Sequence, residues 1–214
     1  EEQIPAEFIP VAEEMGCIEQ LGYHLMTLAF EQLQKWQTDY PTFRFDFAIN
    51  LSPYQILAPA FMKNLKQLLT HYKIDVTRLE LELTESIFKG QDNLIEAVLN
   101  DIQGLGIHLA IDDFGTGYSS LSRLKLLPIH VLKIDQSFVR DITTDENDAA
   151  IVKAIIALAK ALQLAVIAEG VETKAQAEFL LKQGCSQAQG HYFSKAISLA
   201  EINALLSEAT KQKT

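Results

Sequence analysis

Short apolar runs alternate along this chain with longer segments whose apolar residues recur at helical spacing. The runs Phe43–Leu51, Leu79–Thr84, Ile107–Asp112, Val131–Asp135, Ala165–Glu169 and, more weakly, Cys185–Phe193 predict strands. They are rich in Val, Ile, Leu and Phe, as strands buried within a parallel sheet are. The helical segments between them have readable ends. Thr173 with Gln176 and Ser198 with Glu201 fit the capping-box spacing. Gly16, Gly104 and Gly184 stand where helices should stop in a left-handed residue. In Ala149–Leu162, Ile151, Ile155, Leu158 and Leu162 share one face, expected to pack on a sheet, with Lys153 and Lys160 on the other. Repeated strand-then-helix units imply a parallel sheet with right-handed crossovers, either an open doubly wound sheet or a closed barrel. Six strand candidates fall two short of a barrel, which needs eight strands and typically ~250 residues.

At 214 residues and 48% hydrophobic, the chain is long enough for one substantial core, and no linker or low-complexity tract divides it, so residues 1–214 read as one domain. A net charge of −10 argues against a surface built to grip polymeric nucleic acid or an anionic membrane. An acidic protein binds a phosphorylated small molecule when cations invert the local charge. Cys17 and Cys185 form neither a CxxC pair nor a disulfide framework and are expected to be reduced, buried thiols. No apolar run approaches the ~20 residues of a membrane span and no signal peptide is visible, so a cytoplasmic domain is expected. Any membrane anchoring would come through other domains of a full-length protein. The chain opens at Glu1 and closes on a polar tail, as a piece cut from something longer would.

The strand ends carry the chemistry. Phe47-Ala48-Ile49 delivers Asn50, and Leu79–Leu83 carries Glu82, with Glu85 just beyond. The next three strands deliver Asp112-Asp113, Lys133 with Asp135, and Glu169 with Glu172, and the last run reaches Gln189. One acid after a strand means little, because turns and caps favour Asp and Asn. Here nearly every strand ends in a carboxylate, an amide or a lysine, and in a barrel those ends converge on the face where active sites sit. Grouping unpaired carboxylates is costly, so cations are expected. The oxygen-only set Asn50, Glu82, Asp112, Asp113 and Glu169 suits Mg²⁺ or Mn²⁺ better than Zn²⁺. Lys133 is either a structural ion-pair partner or a group that orients an attacking water and offsets transition-state charge. Glu85 is expected to anchor the neighbouring loop 113–118 instead of binding metal. Asp113-Phe114-Gly115 matches a kinase signature, but no Gly-rich phosphate loop or His-Arg-Asp loop accompanies it. None of the five histidines shows ligand spacing.

The ordered series Asn50-Leu51-Ser52-Pro53, Glu82-Leu83-Thr84-Glu85, Asp112-Asp113-Phe114-Gly115-Thr116-Gly117, Leu132-Lys133-Ile134-Asp135, Ala168-Glu169-Gly170-Val171-Glu172 and Gln189-Gly190 resembles the EAL-domain cyclic di-GMP phosphodiesterases. The likeness begins at Pro5-Ala6-Glu7-Phe8-Ile9-Pro10 and runs nearly the whole chain. It implies an α/β, TIM-like (β/α)8 barrel whose first two strands are absent here. It also implies hydrolysis of cyclic di-GMP to linear pGpG with Mg²⁺ or Mn²⁺, two ions in all. By position, Asn50, Glu82 and Asp112 would hold one metal, and Asp112, Asp113 and Glu169 the second. Lys133 would contact the nucleophilic water, Asp135 and Glu172 would support it, Gln189 would lie on the same face, and Glu85 would steady the loop. The resemblance further implies a homodimer and a fused sensor or diguanylate cyclase domain.

Two departures stand out. The Glu-Ala-Leu motif, with its metal-binding Glu and nearby phosphate-contacting Arg, is not in this chain, and Ala196 stands where proline often follows Phe-Ser-Lys. The isolated chain is therefore expected to have weak or no turnover. The competing readings are a catalytically inactive cyclic di-GMP receptor and a phosphodiesterase for another nucleotide.

Overall fold

The computed structural model describes residues 5–41, 43, 46–88, 92–117 and 121–212. Among the described residues six strands lie in one sheet in chain order, β1-β2-β3-β4-β5-β6, and the pairs β1–β2, β4–β5 and β5–β6 are parallel. A doubly wound sheet reverses its strand order at a switch point. Strict sequential order is the order of consecutive barrel strands, and it decides between the two expected architectures. The chain forms two compact units.

The first unit holds α1 (Pro5–Glu14), α2 (Ile18–Asp39), β1 (Phe47–Leu51), α3 (Pro53–Ile56), α4 (Phe61–Tyr72), β2 (Leu79–Thr84), α5 (Asp92–Gly104), the first part of β3 (His108–Phe114) and α6 (Leu121–Leu124). In α2, Ile18, Gly22, Met26, Phe30, Leu33 and Trp36 recur at three- and four-residue steps and are all buried. Gly22 leaves room for the Gln55 amide: a Cβ there would lie 1.3 Å from Gln55 Nε2 and would displace it. Gln55 is buried and completes a capping box at α3, its Oε1 accepting from Ser52 N at 2.8 Å. Ser52 Oγ also donates to Glu13 Oε1 at 2.5 Å. The chain just past Asn50 is thus fixed by a cap, a buried amide and α1. The β1–β2 register sets Asn50 opposite Glu82.

The second unit holds the end of β3 from Asp112, then β4 (Val131–Ile134), α7 (Gln136–Arg140), α8 (Glu146–Leu162), β5 (Ala165–Ala168), α9 (Lys174–Gln183), β6 (Gln187–Ala188) and α10 (Leu199–Gln212). Its register pairs Lys133 with Ile167 and Ile167 with Gln187. Because strand side chains alternate with period two, Lys133, Asp135, Glu169 and Gln189 emerge on one side of the sheet. Leu132, Ile134 and Ala168 emerge on the other side and are buried.

Several expectations are corrected. β1 starts at Phe47 (residues 44–45 lie outside the described set) and β6 is only Gln187–Ala188, both shorter than their apolar runs, whereas β2 matches its run and β3 extends past Asp112 to Phe114. Asp135 and Glu169 lie just past their strands, Asp135 because its side chain caps α7. Gly104 ends α5 without the left-handed conformation, which falls instead on Gly106 at φ +86°. The buried face of α8 is Ala149, Val152, Ile155, Ile156 and Ala159, with Ile151 37% exposed. Two alanines let this face approach its neighbours closely, a preference that counting only large apolar residues misses. Cys185 is buried as expected, whereas Cys17 is exposed beside the turn after α1. The caps at Thr173–Gln176 and Ser198–Glu201 form, and Gly16 and Gly184 adopt positive φ.

Candidate functional site

The acidic residues of the second unit converge because the backbone departs from strand geometry at one point. A regular strand sends consecutive side chains to opposite faces. Asp113 has φ +53°, in the left-handed region that Asp tolerates better than most residues. That turn breaks the alternation, so Asp112 and Asp113 reach the same place. With Glu169 they form a group in which one carboxylate oxygen from each residue lies within 4.8 Å of the others. Asp112 Oδ1 also accepts from Asp113 N at 3.1 Å.

Lys133 sits against this group. It is 2% exposed, and its Nζ lies 2.6 Å from Glu169 Oε1 and 3.2 Å from Asp112 Oδ1. Gln189 Nε2 donates to the same Glu169 Oε1 at 2.6 Å. Asp135 accepts from Ser137 N at 2.9 Å and from Ser137 Oγ, which ties it to the start of α7. Asp113 feels the crowding: burial first, then the charge of Asp112 and a hydrogen bond with Asp135, raise its pKa from 3.8 to about 6, against the opposing pull of Lys133.

Three carboxylates this close, one of them raised, form a group that could hold a metal ion. The donor set is hard oxygen without His or Cys, which fits Mg²⁺ or Mn²⁺ chemistry. Asp112, Asp113 and Glu169 would hold such an ion.

In the first unit, Asn50 and Glu82 are register partners at the ends of β1 and β2, Glu82 buried and Asn50 exposed. Glu85 is buried in the 3-10 turn after β2. The loop it was expected to anchor runs to Tyr118, and residues 118–120 lie outside the described set. Glu172 has an exposed side chain, and its backbone N–H donates to Gln176 Oε1 at 2.8 Å. Sequence reasoning missed Ser52, Ser137 and the full reach of Gln176. Ser52 and Ser137 are small polar residues two positions from Asn50 and Asp135, placed where a helix N-cap is made or shared, and Gln176 lies four positions from Glu172.

The EAL domain profile matches residues 1–196. The chain is 38% identical over 200 residues to a bifunctional diguanylate cyclase/cyclic di-GMP phosphodiesterase, MucR, of Pseudomonas aeruginosa, covering 94% of this chain and 29% of that protein. It is 40% identical over 191 residues to the cyclic di-GMP phosphodiesterase PdeR of Escherichia coli, covering 89% of this chain and 29% of that protein. The chain thus spans less than a third of these relatives. The solved structure of the MucR phosphodiesterase in complex with c-di-GMP superimposes with a TM-score of 0.87 at 37% identity, over 92% of this chain and 80% of that one. Sequential parallel strands, an acid-and-lysine cluster at their ends and these likenesses place the chain in the EAL domain family.

Proposed function

We propose that this domain hydrolyses cyclic di-GMP to linear pGpG, and that Asp112, Asp113, Lys133 and Glu169 carry the reaction. The observation that carries this reading is the buried Lys133 ammonium held between Asp112 and Glu169 beside Asp113. The likeness to PdeR and to the c-di-GMP complex of MucR supports the substrate.

Two divalent ions, Mg²⁺ or Mn²⁺, would supply an acidified water and compensate charge on the attacking and leaving oxygens. Asp112, Asp113 and Glu169 would bind metal, and Asn50 and Glu82 are assigned as metal ligands by motif resemblance alone. Lys133, a fixed point charge, orients the attacking water and offsets charge that builds on the phosphoryl oxygens. Gln189 holds Glu169 in one rotamer through its 2.6 Å bond. Asp135, tied to the start of α7, hydrogen-bonds Asp113 and fixes that carboxyl. Glu85 and Glu172 support the loops after β2 and β5. The reaction consumes one water: its oxygen bonds to phosphorus, one P–O ester bond breaks, and the freed oxygen takes a proton.

Incubating the full-length protein with cyclic di-GMP and either metal, and separating the nucleotides, tests the proposal. Appearance of pGpG supports it. Binding without turnover under both metals overturns it in favour of an inactive receptor, and turnover of other cyclic nucleotides at equal rate overturns the assigned substrate. The bifunctional cyclase/phosphodiesterase MucR supports a fused diguanylate cyclase domain, while a cytoplasmic location, a homodimer and a fused sensor domain are proposed on sequence and motif resemblance alone. Among the described residues no helix is long and apolar enough to cross a membrane.

A further inference from the structure

The segment that follows Glu169 is clamped more thoroughly than a connecting loop needs. Val171 N donates to Gln189 O at 3.0 Å, and Tyr192 N donates to Val171 O at 2.9 Å. Gly170, at φ +67°, lies so close to α7 that a Cβ would meet Gln136 Cβ at 2.5 Å. Gln176 completes the clamp from α9 and is 4% exposed.

All the polar capacity of Gln176 that a cap uses is spent on this segment. Its N–H donates to Thr173 Oγ1 at 3.2 Å, and its Oε1 accepts from both Glu172 N and Thr173 N at 2.8 Å. A glutamate at this position would make the same capping box. What glutamate could not do is the fourth bond: Gln176 Nε2 donates to Arg140 O, the last residue of α7, at 2.8 Å. That bond closes a ring of structure. It runs from β4 through Asp135 and α7 to Arg140 O, across to Gln176, back along Glu172 and Val171 to Glu169, and so to β5. Lys133 and Asp135 lie at one end of the ring and Glu169 at the other.

Resting on the proposed function, we infer that Gln176 is a positioning residue, which holds the segment after Glu169 against the end of α7 and thereby sets the geometry of Glu169 as a metal ligand. Groups one layer out from metal ligands hold them in register, and their loss typically weakens metal binding about 10- to 100-fold. A simple helix cap would affect stability without this effect.

The experiment is a Mn²⁺ titration of the full-length protein, with free Mn²⁺ read by electron paramagnetic resonance, which needs no turnover. Gln176→Glu keeps the capping box and loses the bond to Arg140 O, so Mn²⁺ affinity should fall about tenfold or more. Thr173→Ala removes the cap and keeps that bond, so affinity should stay within about twofold of wild type even as the melting temperature drops. Should the glutamate variant fail to fold, Gln176→Met keeps the volume and is expected to show the same loss. Wild-type affinity in a folded Gln176 variant, or equal losses in the Gln176 and Thr173 variants, would overturn the inference. A protein that binds Mn²⁺ with this pattern but never cleaves cyclic di-GMP sinks the proposed activity and leaves the positioning role standing.

Discussion

Removing the charge of Lys133 while keeping most of its length, as in Lys133→Met, should destabilise the metal-free protein strongly. The ammonium is 2.6 Å from Glu169 and 3.2 Å from Asp112, whose side chains are 14% and 13% exposed. At an effective dielectric constant of about 20, the gross attraction is about 6 and about 5 kcal/mol for the two pairs. Desolvation of the lysine offsets much of that, and breaking a buried pair costs about 3–5 kcal/mol net. Because both carboxylates keep some contact with water, the lower end applies, about 3 kcal/mol. For a domain of this size that corresponds to a fall of about 6–12 °C in melting temperature. The assay is thermal unfolding in EDTA at pH 7.5 and again at pH 5. Without Lys133, Asp113 loses the pull that lowers its pKa, so the deficit is full at high pH and shrinks as falling pH protonates that carboxyl. Mn²⁺ should recover more stability in the variant than in the wild type, since it supplies the missing positive charge. A melting temperature within about 1 °C of wild type in EDTA at pH 7.5 would refute the reasoning, because a buried ammonium cannot be both tightly paired and dispensable.

Other outcomes follow from single contacts. Gly190→Ala should cost at least about 3 kcal/mol, since φ is +151° and a Cβ would sit 2.3 Å from both the N and the O of Val171; urea unfolding checks this, and a midpoint equal to wild type would contradict the close approach. Asp113→Asn should stabilise the metal-free protein at pH 7.5 by about 1 kcal/mol after discounting for partial exposure. The sign follows from a folded pKa of about 6 against 3.8: wild-type stability falls as pH rises between those values and stays low above, a slope the asparagine variant should lack. The same variant should bind Mn²⁺ more weakly, which isothermal titration in the presence of the ion would show.

The sequence determined by itself the class of fold, the number and order of the strands, and the identity of the acids and the lysine at their ends. Those properties are local. Apolar runs and glycine positions follow from what each short segment can bury, and a motif series such as Asp112-Asp113-Phe114-Gly115 is read without knowing where it lies. The likeness to the EAL domain family was legible for the same reason, and the family match over residues 1–196 agrees with it. Where the local signal was degenerate, it misled. From Ala149 to Leu162 every position of α8 except Lys153 and Lys160 is Ala, Ile, Val or Leu, so the pattern leaves the phase of the buried face open, and packing chose Ala149, Val152, Ile155, Ile156 and Ala159. Gly104 and Gly106 are two residues apart, and only the packing of α5 selects the one that turns left-handed.

Tertiary structure alone decided how the candidates meet. Nothing in the spacing of residues 112, 133, 169 and 189 says that one ammonium and one amide converge on Glu169 Oε1. Parallel register does that, by placing residues far apart in the chain on one side of neighbouring strand ends. Nor does sequence reveal that Asp113 turns to positive φ, which puts two consecutive carboxylates on the same side and raises one of them. The capping motif Thr173–Gln176 was readable, yet its fourth bond, to Arg140 O, was not, because a hydrogen bond across 36 residues exists only once α7 and α9 have packed. The residues that make chemistry available are written in order along the chain, and the distances that make it possible come from strand register and helix packing.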